Sequence, residues 1–419
     1  MSASRLLRGV AVLALFARSA AAQQPLSLDD ALRQARAANA SLPVAALNVR
    51  IAQARLREQR GRLYPRVLLD GDVHAGAPQS YGTSDARLQL IAADTLFGGG
   101  QLRAGRTVAA LEAQSAGAGY RLAVRDVELN VRLRFSEYEQ AEHEIAFRRA
   151  GIQRLQRYLT EIRARQAAGQ GVTSDVLKTQ VQLGTAQADL ATAESRLDAA
   201  RLELNSLMGR APDSPLSLAP LPAPVAPPDS VNEPWLTTPD VAQAVADSAA
   251  AAAAVNITRG ERQPQLAVAA DFGAQPVLGD TAAGSLLNNG RGVGAELTLS
   301  VTLPLWDVGV YRSRLAQATL AARQAGASAS VVRRQTRLAW EQATTQLHRL
   351  YDEIQTRSRT VPAARDSYLL AESMYNGGAA TSLDVLDAYT AWIDANQAYE
   401  NALLQYRQAH ALYLRWGTP

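Results

Sequence analysis

Val293-Gly-Ala-Glu-Leu-Thr-Leu-Ser-Val-Thr-Leu303 alternates without a break: Val293, Ala295, Leu297, Leu299, Val301 and Leu303 against Gly294, Glu296, Thr298, Ser300 and Thr302. Successive side chains of a strand point to opposite sides, so this stretch predicts a strand with one oily and one wet face. Pro304-Leu-Trp-Asp-Val-Gly309 ends it, and the pattern beyond Gly309 is helical. An alternating strand that gives way at an aromatic turn to a long helix is the unit from which the rest of the chain is read.

That unit occurs twice. Leu96-Phe97-Gly98-Gly99-Gly100 matches Leu305-Trp306-Asp307-Val308-Gly309 at an offset of 209 residues, and the offset persists through Gly169/Gly378, Asp175-Val-Leu177/Asp384-Val-Leu386 and Ala186/Ala395. Upstream, Arg60-Gly-Arg-Leu-Tyr-Pro65 matches Arg259-Gly-Glu-Arg-Gln-Pro264 at an offset of 199, so the second half carries ten extra residues between its Pro and its aromatic. Each half then reads as a helix, a β-hairpin (about 66–96 and 265–305) and a long helical hairpin. The organisation is a first repeat at 23–210, a joint at 211–239 and a second repeat at 240–419. Nine of the eighteen prolines fall in the joint, which therefore cannot be helix.

Leu69, Gly71 and Val73 alternate with Asp70, Asp72 and His74, and Leu266, Val268, Ala270 and Phe272 repeat the pattern more weakly. Strands of about 9–11 residues suit a tilted membrane-spanning sheet. On that reading the Gly/Ser/Pro/Asn-rich tips Gly76 to Ser84 and Gln275 to Gly292 are external loops, and Phe97 and Trp306 belong to an interfacial aromatic girdle. Strand patterns fit equally a soluble sandwich whose apolar face is a protein core. From Gln101 to Ala168 no proline occurs and the helical period is sustained, predicting a helix roughly 100 Å long at 1.5 Å per residue. Ala186, Ala193 and Ala200 at sevens form a small-residue seam for close helix packing. Gly169-Gln-Gly171 and Asn376-Gly-Gly378 are the turns of the two hairpins. Ser27-Leu-Asp-Asp30 caps an N-terminal helix with Leu28, Ala31, Leu32 and Ala35 on one face.

Composition agrees. The 419 residues are 47% hydrophobic but only 5% aromatic, and about a fifth are alanine, which favours long, closely packed helices over one aromatic-filled core. With no cysteine there is no disulfide, thiol nucleophile, Cys-ligated metal or lipid-modified N-terminal cysteine. The net charge of +4 comes from arginines interleaved with acids, Lys178 being the single lysine, so no nucleic-acid stripe exists. Residues 1–22 hold Arg5 and Arg8, the apolar run Val10 to Phe16 and Ala20-Ala21-Ala22, the pattern of a secretory signal peptide. Exported, with no segment of 18 continuous apolar residues, the protein is either soluble at its destination or inserted as a β-barrel. Four strands cannot close a membrane barrel, for which about eight is the minimum. Two chains leave a bore filled by side chains, so three chains, with twelve strands and twelve long helices, are the smallest assembly with an open duct.

The order Leu28-Asp-Asp-Ala-Leu32, Pro65, Leu96-Phe-Gly-Gly-Gly100, Gly169 with Asp175-Val-Leu177, then Pro264, Pro304-Leu-Trp-Asp-Val-Gly309 and Gly378 with Asp384-Val-Leu-Asp387, resembles the TolC family of trimeric outer-membrane efflux channels. The resemblance implies a mainly α fold: a twelve-strand barrel in the outer membrane joined to an α-helical barrel in the periplasm, the proline-rich joint lying in a belt around its middle. It implies a homotrimer, contact with outer-membrane lipid, a periplasmic adaptor at the hairpin tips Gly169 and Gly378, and an inner-membrane pump behind the adaptor. The function implied is the passive exit duct of a tripartite efflux pump or a type I secretion system. The competing reading is a soluble periplasmic adaptor or helical scaffold.

Asp384 and Asp387 are three apart on one helix and face the same way. By the resemblance they form rings of three carboxylates at the periplasmic entrance, attracting cations and raising one another's carboxyl pKa values. The resemblance also places the entrance gate at Ser174, Asp175 and Tyr375; Ala380 occupies the usual arginine position, which leaves closure to Tyr375, Ser174 or another arginine. His74, His143, His348 and His410 lack metal-ligand spacing, Gly98-Gly-Gly100 lacks the Lys-Ser/Thr of a phosphate loop, and no serine has a His/Asp pattern around it. No catalytic residue, cofactor, metal or nucleic acid is expected.

Overall fold

The computed structural model describes residues 25–74, 84–227, 233–274, 277–278 and 293–417. The expected leader (1–22) and most of the two hairpin loops (76–84 and 275–292) lie outside them. Helices α1 (Leu28–Ala38) and α2 (Ser41–Gly61) precede strands β1 (Arg66–His74) and β2 (Ser84–Gly98), then α3 (Gln101–Ala167) and α4 (Thr173–Leu207). The second half follows with α5 (Pro239–Gly260), β3 (Gln265–Ala274), a two-residue β4 (Val277–Leu278), β5 (Val293–Thr302), α6 (Val310–Asn376) and α7 (Ser382–Gly417). The duplication is present in the backbone itself: α3 and α6 each run 67 residues, their ends displaced by the same 209 positions as their sequences. Left-handed φ values recur at the same spacing, at Gly99, Gly100 and Gly169 (59°, 81°, 76°) and at Val308, Gly309 and Gly378 (51°, 88°, 77°). Of these only Val308 carries a β-branched side chain where such residues are rare.

The chain divides into two compact units. One comprises residues 44–122 and 236–336. Its antiparallel sheet has the order β1-β2-β3-β5, with β4 beside the start of β2. The hairpins are in equivalent register: Arg66 faces Ala93 in the first, and Gln265 faces Thr302 in the second. The β2–β3 pairing joins the repeats, Leu90 opposite Phe272 and Ala92 opposite Ala270, with a bulge between Thr95 and Phe97. Residues directly opposite share a face, so Val67, Leu69, Leu88, Leu90, Leu266, Val268, Phe272, Leu297, Leu299 and Val301 form one apolar wall. Among the described residues no second layer covers it: Leu90, Leu69 and Leu297 are 46%, 71% and 74% exposed. A sandwich core would be dry here, so the described sheet does not take the sandwich alternative. Two strand ends differ from expectation. β2 reaches Gly98 because β3 accompanies it to Gln265, whereas β5 stops at Thr302, having no partner on its other side. Beneath the sheet, the end of α5 meets the β2–α3 junction. A Cβ on Gly99 would lie 2.4 Å from the Gly260 carbonyl, and one on Gly260 would lie 2.5 Å from Gln101 Cγ, so both positions require glycine for close backbone approach.

The other unit comprises residues 1–43, 123–235 and 337–419. Ser27 caps α1, its hydroxyl accepting from Asp30 N at 3.2 Å, and Ala31, Leu32 and Ala35 are buried against Val131, Phe135 and Leu204. The seam alanines Ala193 and Ala200 are buried, as their spacing predicts. Residues 211–227 form an extended strap without helix, bridged backbone to backbone between Leu218 and Leu26 and tied to the bundle by side chains. Asn205 Nδ2 donates to the Pro212 and Ser214 carbonyls, Tyr138 to Leu216 O and Tyr406 to Val225 O. The deepest of these ties is ionic. Glu139 of α3 accepts from Leu221 N at 2.9 Å and pairs with Arg407 of α7, their side chains only 5% and 12% exposed. One buried carboxylate thus fastens two repeats and the strap between them.

Candidate functional site

At the hairpin tips the two repeats are built alike. Gly169 N donates to Gln166 O and Gln170 N to Arg165 O; Gly378 N donates to Tyr375 O and Ala379 N to Met374 O. Each is a glycine stop in which a left-handed residue lets the next amides satisfy the last carbonyls of the helix. A Cβ at Gly169 or Gly378 would meet nothing within 4 Å, so these turns present open backbone within the chain.

The helices that follow start differently. At α7, Thr381 N and its hydroxyl both donate to Asp384 Oδ2 at 2.7 Å, and Asp384 N donates to Thr381 Oγ1 at 3.3 Å, a capping box. At α4 the cap residue is Val172, which has no side-chain acceptor, and Asp175, the counterpart of Asp384, forms no side-chain bond there. The hydrogen bonds from Thr381, side chain first and then backbone, hold Asp384 below the usual carboxylate range within the single chain. That is opposite in direction to the rise expected of a carboxylate ring. Asp384 and Asp387 are both exposed, and Val385, Leu386 and Tyr389 on the opposite side of the helix enter the core.

That core gathers the scarce aromatics. Tyr368 stacks on Trp392 at 5.5 Å, Tyr389 meets both edge-on, and the Arg154 guanidinium lies 4.5 Å over the Trp392 ring. Composition suggests that an alanine-rich wall leaves aromatics no core to fill, yet they concentrate in the hairpin ends.

Of the three gate candidates, Tyr375 is anchored while Ser174 and Asp175 are not joined to it. The Tyr375 ring packs edge-on against Tyr158 at 5.7 Å and under the Arg165 guanidinium at 4.6 Å. Arg165 also donates to Tyr375 O at 3.4 Å and to Asn376 Oδ1 at 2.8 Å. An arginine from the first hairpin therefore clasps the second. Sequence reasoning missed it because Arg165 lies 210 residues from Tyr375 and matches no expected position. Tyr158 donates to Ser382 Oγ at 3.2 Å nearby. Burial pushes its hydroxyl pKa up to about 12, so it stays a proton donor at any physiological pH.

Lys178 was the second omission. The repeat offset that pairs Asp175 with Asp384 pairs Lys178 with Asp387. Gln182 Nε2 donates to Thr390 Oγ1 at 3.5 Å between α4 and α7, so the residues one turn earlier on each helix, Lys178 and Asp387, stand at one level. In the sheet unit, Phe97 pairs opposite Leu266 and is half exposed, and Trp306, beyond the end of β5, is 85% exposed. Among the described residues no group of His, Asp or Glu could hold a metal, and no helix is long and apolar enough to cross a membrane.

A duplicated helical hairpin carrying a sheet with an uncovered apolar face is the architecture of an outer-membrane channel subunit. The profile of the outer membrane efflux protein family matches residues 31–210 and 236–418, and the chain belongs to that family. It is an outer-membrane efflux channel protein. The fold agrees with solved structures: the Neisseria gonorrhoeae MtrE outer membrane channel in its open state (21% identity, TM-score 0.81, covering 93% of this chain and 88% of that one); the Vibrio cholerae outer membrane protein VceC (18%, 0.81, 92% and 95%); and a Pseudomonas aeruginosa membrane protein (20%, 0.82, 93% and 92%). No curated protein matches the chain at a significant level of sequence similarity.

Proposed function

We propose that three copies of this chain form a passive duct across the outer membrane and into the periplasm, twelve strands contacting lipid and twelve long helices enclosing the bore. The observation that carries this reading is the apolar sheet face. Eight large side chains of that wall stand exposed on a sheet whose first and last described strands each lack a partner on their outer edge, which lipid and further copies would satisfy. Phe97 and Trp306 fit the interfacial girdle. Asp384 and Asp387 supply the entrance rings, with Ser174, Asp175 and Tyr375 around the gate, and the tips at Gly169 and Gly378 receive a periplasmic adaptor coupled to an inner-membrane pump. The duct itself performs no chemistry; its partners supply the energy, for efflux or for type I secretion.

The protein is expected to fractionate with the outer membrane, to require detergent for extraction, and to have the mass of a trimer by light scattering. A monomer soluble in the periplasmic fraction would overturn the reading.

A further inference from the structure

The internal duplication carries more than the number of copies. Three of the four junctions that a closed ring of repeats needs occur within one chain at the level of the sheet: each hairpin, and the β2–β3 seam between repeats. The fourth, from β5 onward to β1, has no counterpart in the chain, and its elements stand open. β1 and β5 lie at the ends of the sheet order, and nothing lies within 4 Å of a Cβ built on Gly61, the equivalent of Gly260.

Resting on the trimer reading, we propose that β5 pairs with β1 of a neighbouring copy in one defined register, obtained by carrying the β2–β3 seam through the repeat. The sequence repeat relates β2 to β5 at 209 residues and β1 to β3 at 199, and the hairpin registers agree with both offsets. Asp94 opposite Val268 then becomes Leu303 opposite Leu69 of the neighbouring copy. Ala92 opposite Ala270 becomes Val301 opposite Gly71, and Ala93 opposite Ala269 becomes Thr302 opposite Asp70.

Three features that played no part in the transfer agree with it. Apolar Leu303 meets apolar Leu69 while polar Thr302 meets Asp70, whereas a slip of one residue would set Leu303 against Asp70. The β2 bulge between Thr95 and Phe97 lands on Pro304 and Trp306, and a bulge is where a sheet tolerates a residue that cannot donate. Trp306, the most exposed aromatic of the described chain, arrives opposite Val67, itself 65% exposed. One difference is built in. Val308 replaces Gly99, so the copy-to-copy junction cannot approach Gly61 as tightly as Gly99 approaches Gly260, and alignment falls to the strands.

The cysteine-free chain makes the test direct. Facing residues of an antiparallel pair lie about 4.5–5.5 Å apart at Cα, within disulfide range. Leu69→Cys with Leu303→Cys, oxidised in the detergent-extracted assembly, is expected to give a covalent trimer on a non-reducing gel. Val67→Cys with Leu303→Cys, a two-residue slip on the same face, is expected to give at most about a tenth of it. The register is overturned if the slipped pair links equally well, or if neither pair links in an assembly shown by mass to be a trimer. A monomeric mass overturns the trimer reading itself.

A separate observation concerns the entrance and also rests on the duct reading. Asp175 and Asp384 place carboxylates of both repeats at one level, but at the next the repeats carry opposite charges, Lys178 and Asp387, brought level by the Gln182–Thr390 bond. We infer that Lys178 sets ion selectivity by offsetting Asp387, so the entrance is one carboxylate ring above a mixed ring. In planar bilayers under a KCl gradient, Lys178→Gln is expected to raise the potassium-to-chloride permeability ratio about twofold, with Lys178→Arg unchanged. An unaltered ratio in a channel that conducts overturns the role of Lys178; absence of conductance from the wild-type protein overturns the duct.

Discussion

Glu139→Ala is expected to destabilise the chain by about 3–5 kcal/mol, because it strips a buried guanidinium of the carboxylate it pairs with. The substitution also leaves Leu221 N without an acceptor, loosening the strap where it crosses α3. The loss is not the worth of the ion pair as such. It is mostly the cost of Arg407 left charged in a place from which water is excluded, so the double variant Glu139→Ala with Arg407→Met is expected to recover most of it. Thermal unfolding in detergent reads both effects. A single variant within about 1 kcal/mol of wild type would mean that the pair is open to solvent in the folded protein.

Asp384→Asn with Asp387→Asn is expected to abolish most of the cation preference of the open channel. In the proposed rings each chain would contribute three carboxylates, Asp175, Asp384 and Asp387, and one ammonium, Lys178. Neutralising two leaves Asp175 and Lys178, whose charges cancel, so the permeability ratio is expected to approach that of the free ions. Asparagine still accepts from Thr381, so the cap of α7 is weakened rather than removed, and conductance serves as the control for folding. Reversal potentials unchanged from wild type would refute the placement of these carboxylates in the bore.

Asp384 also sets two influences against each other. In the single chain its hydrogen bonds from Thr381 keep the carboxyl acidic. In a ring, neighbouring carboxylates push the other way. The first favours the charged form down to low pH, so the contribution of Asp384 to cation selectivity is expected to persist on acidification, as reversal potentials across a pH series would show.

Much of this protein is written locally. The alternation of Val293 to Leu303, the left-handed stops at Gly169 and Gly378 and the absence of proline from Gln101 to Ala168 each determine their own element, because period, handedness and missing donors act over a few residues. The repeat at 209 residues carried those elements into a second half, and α6 spans its 67 residues even with Pro362 inside it. What acts over hundreds of residues was not legible. Arg165 finds Tyr375, and Glu139 finds Arg407 and the strap, neither of which leaves a mark in the neighbouring sequence.

The amphipathic strand is the clearest case of both. Sequence determined by itself that one face of β5 is oily and the other wet, since a period of two is a property of the backbone. Whether that oil lies in a covered core of the chain or on an open face was decided only in the tertiary structure. There the four main strands align their apolar faces into a single wall, because opposite residues of an antiparallel sheet share a face, and the described chain places no second layer over it.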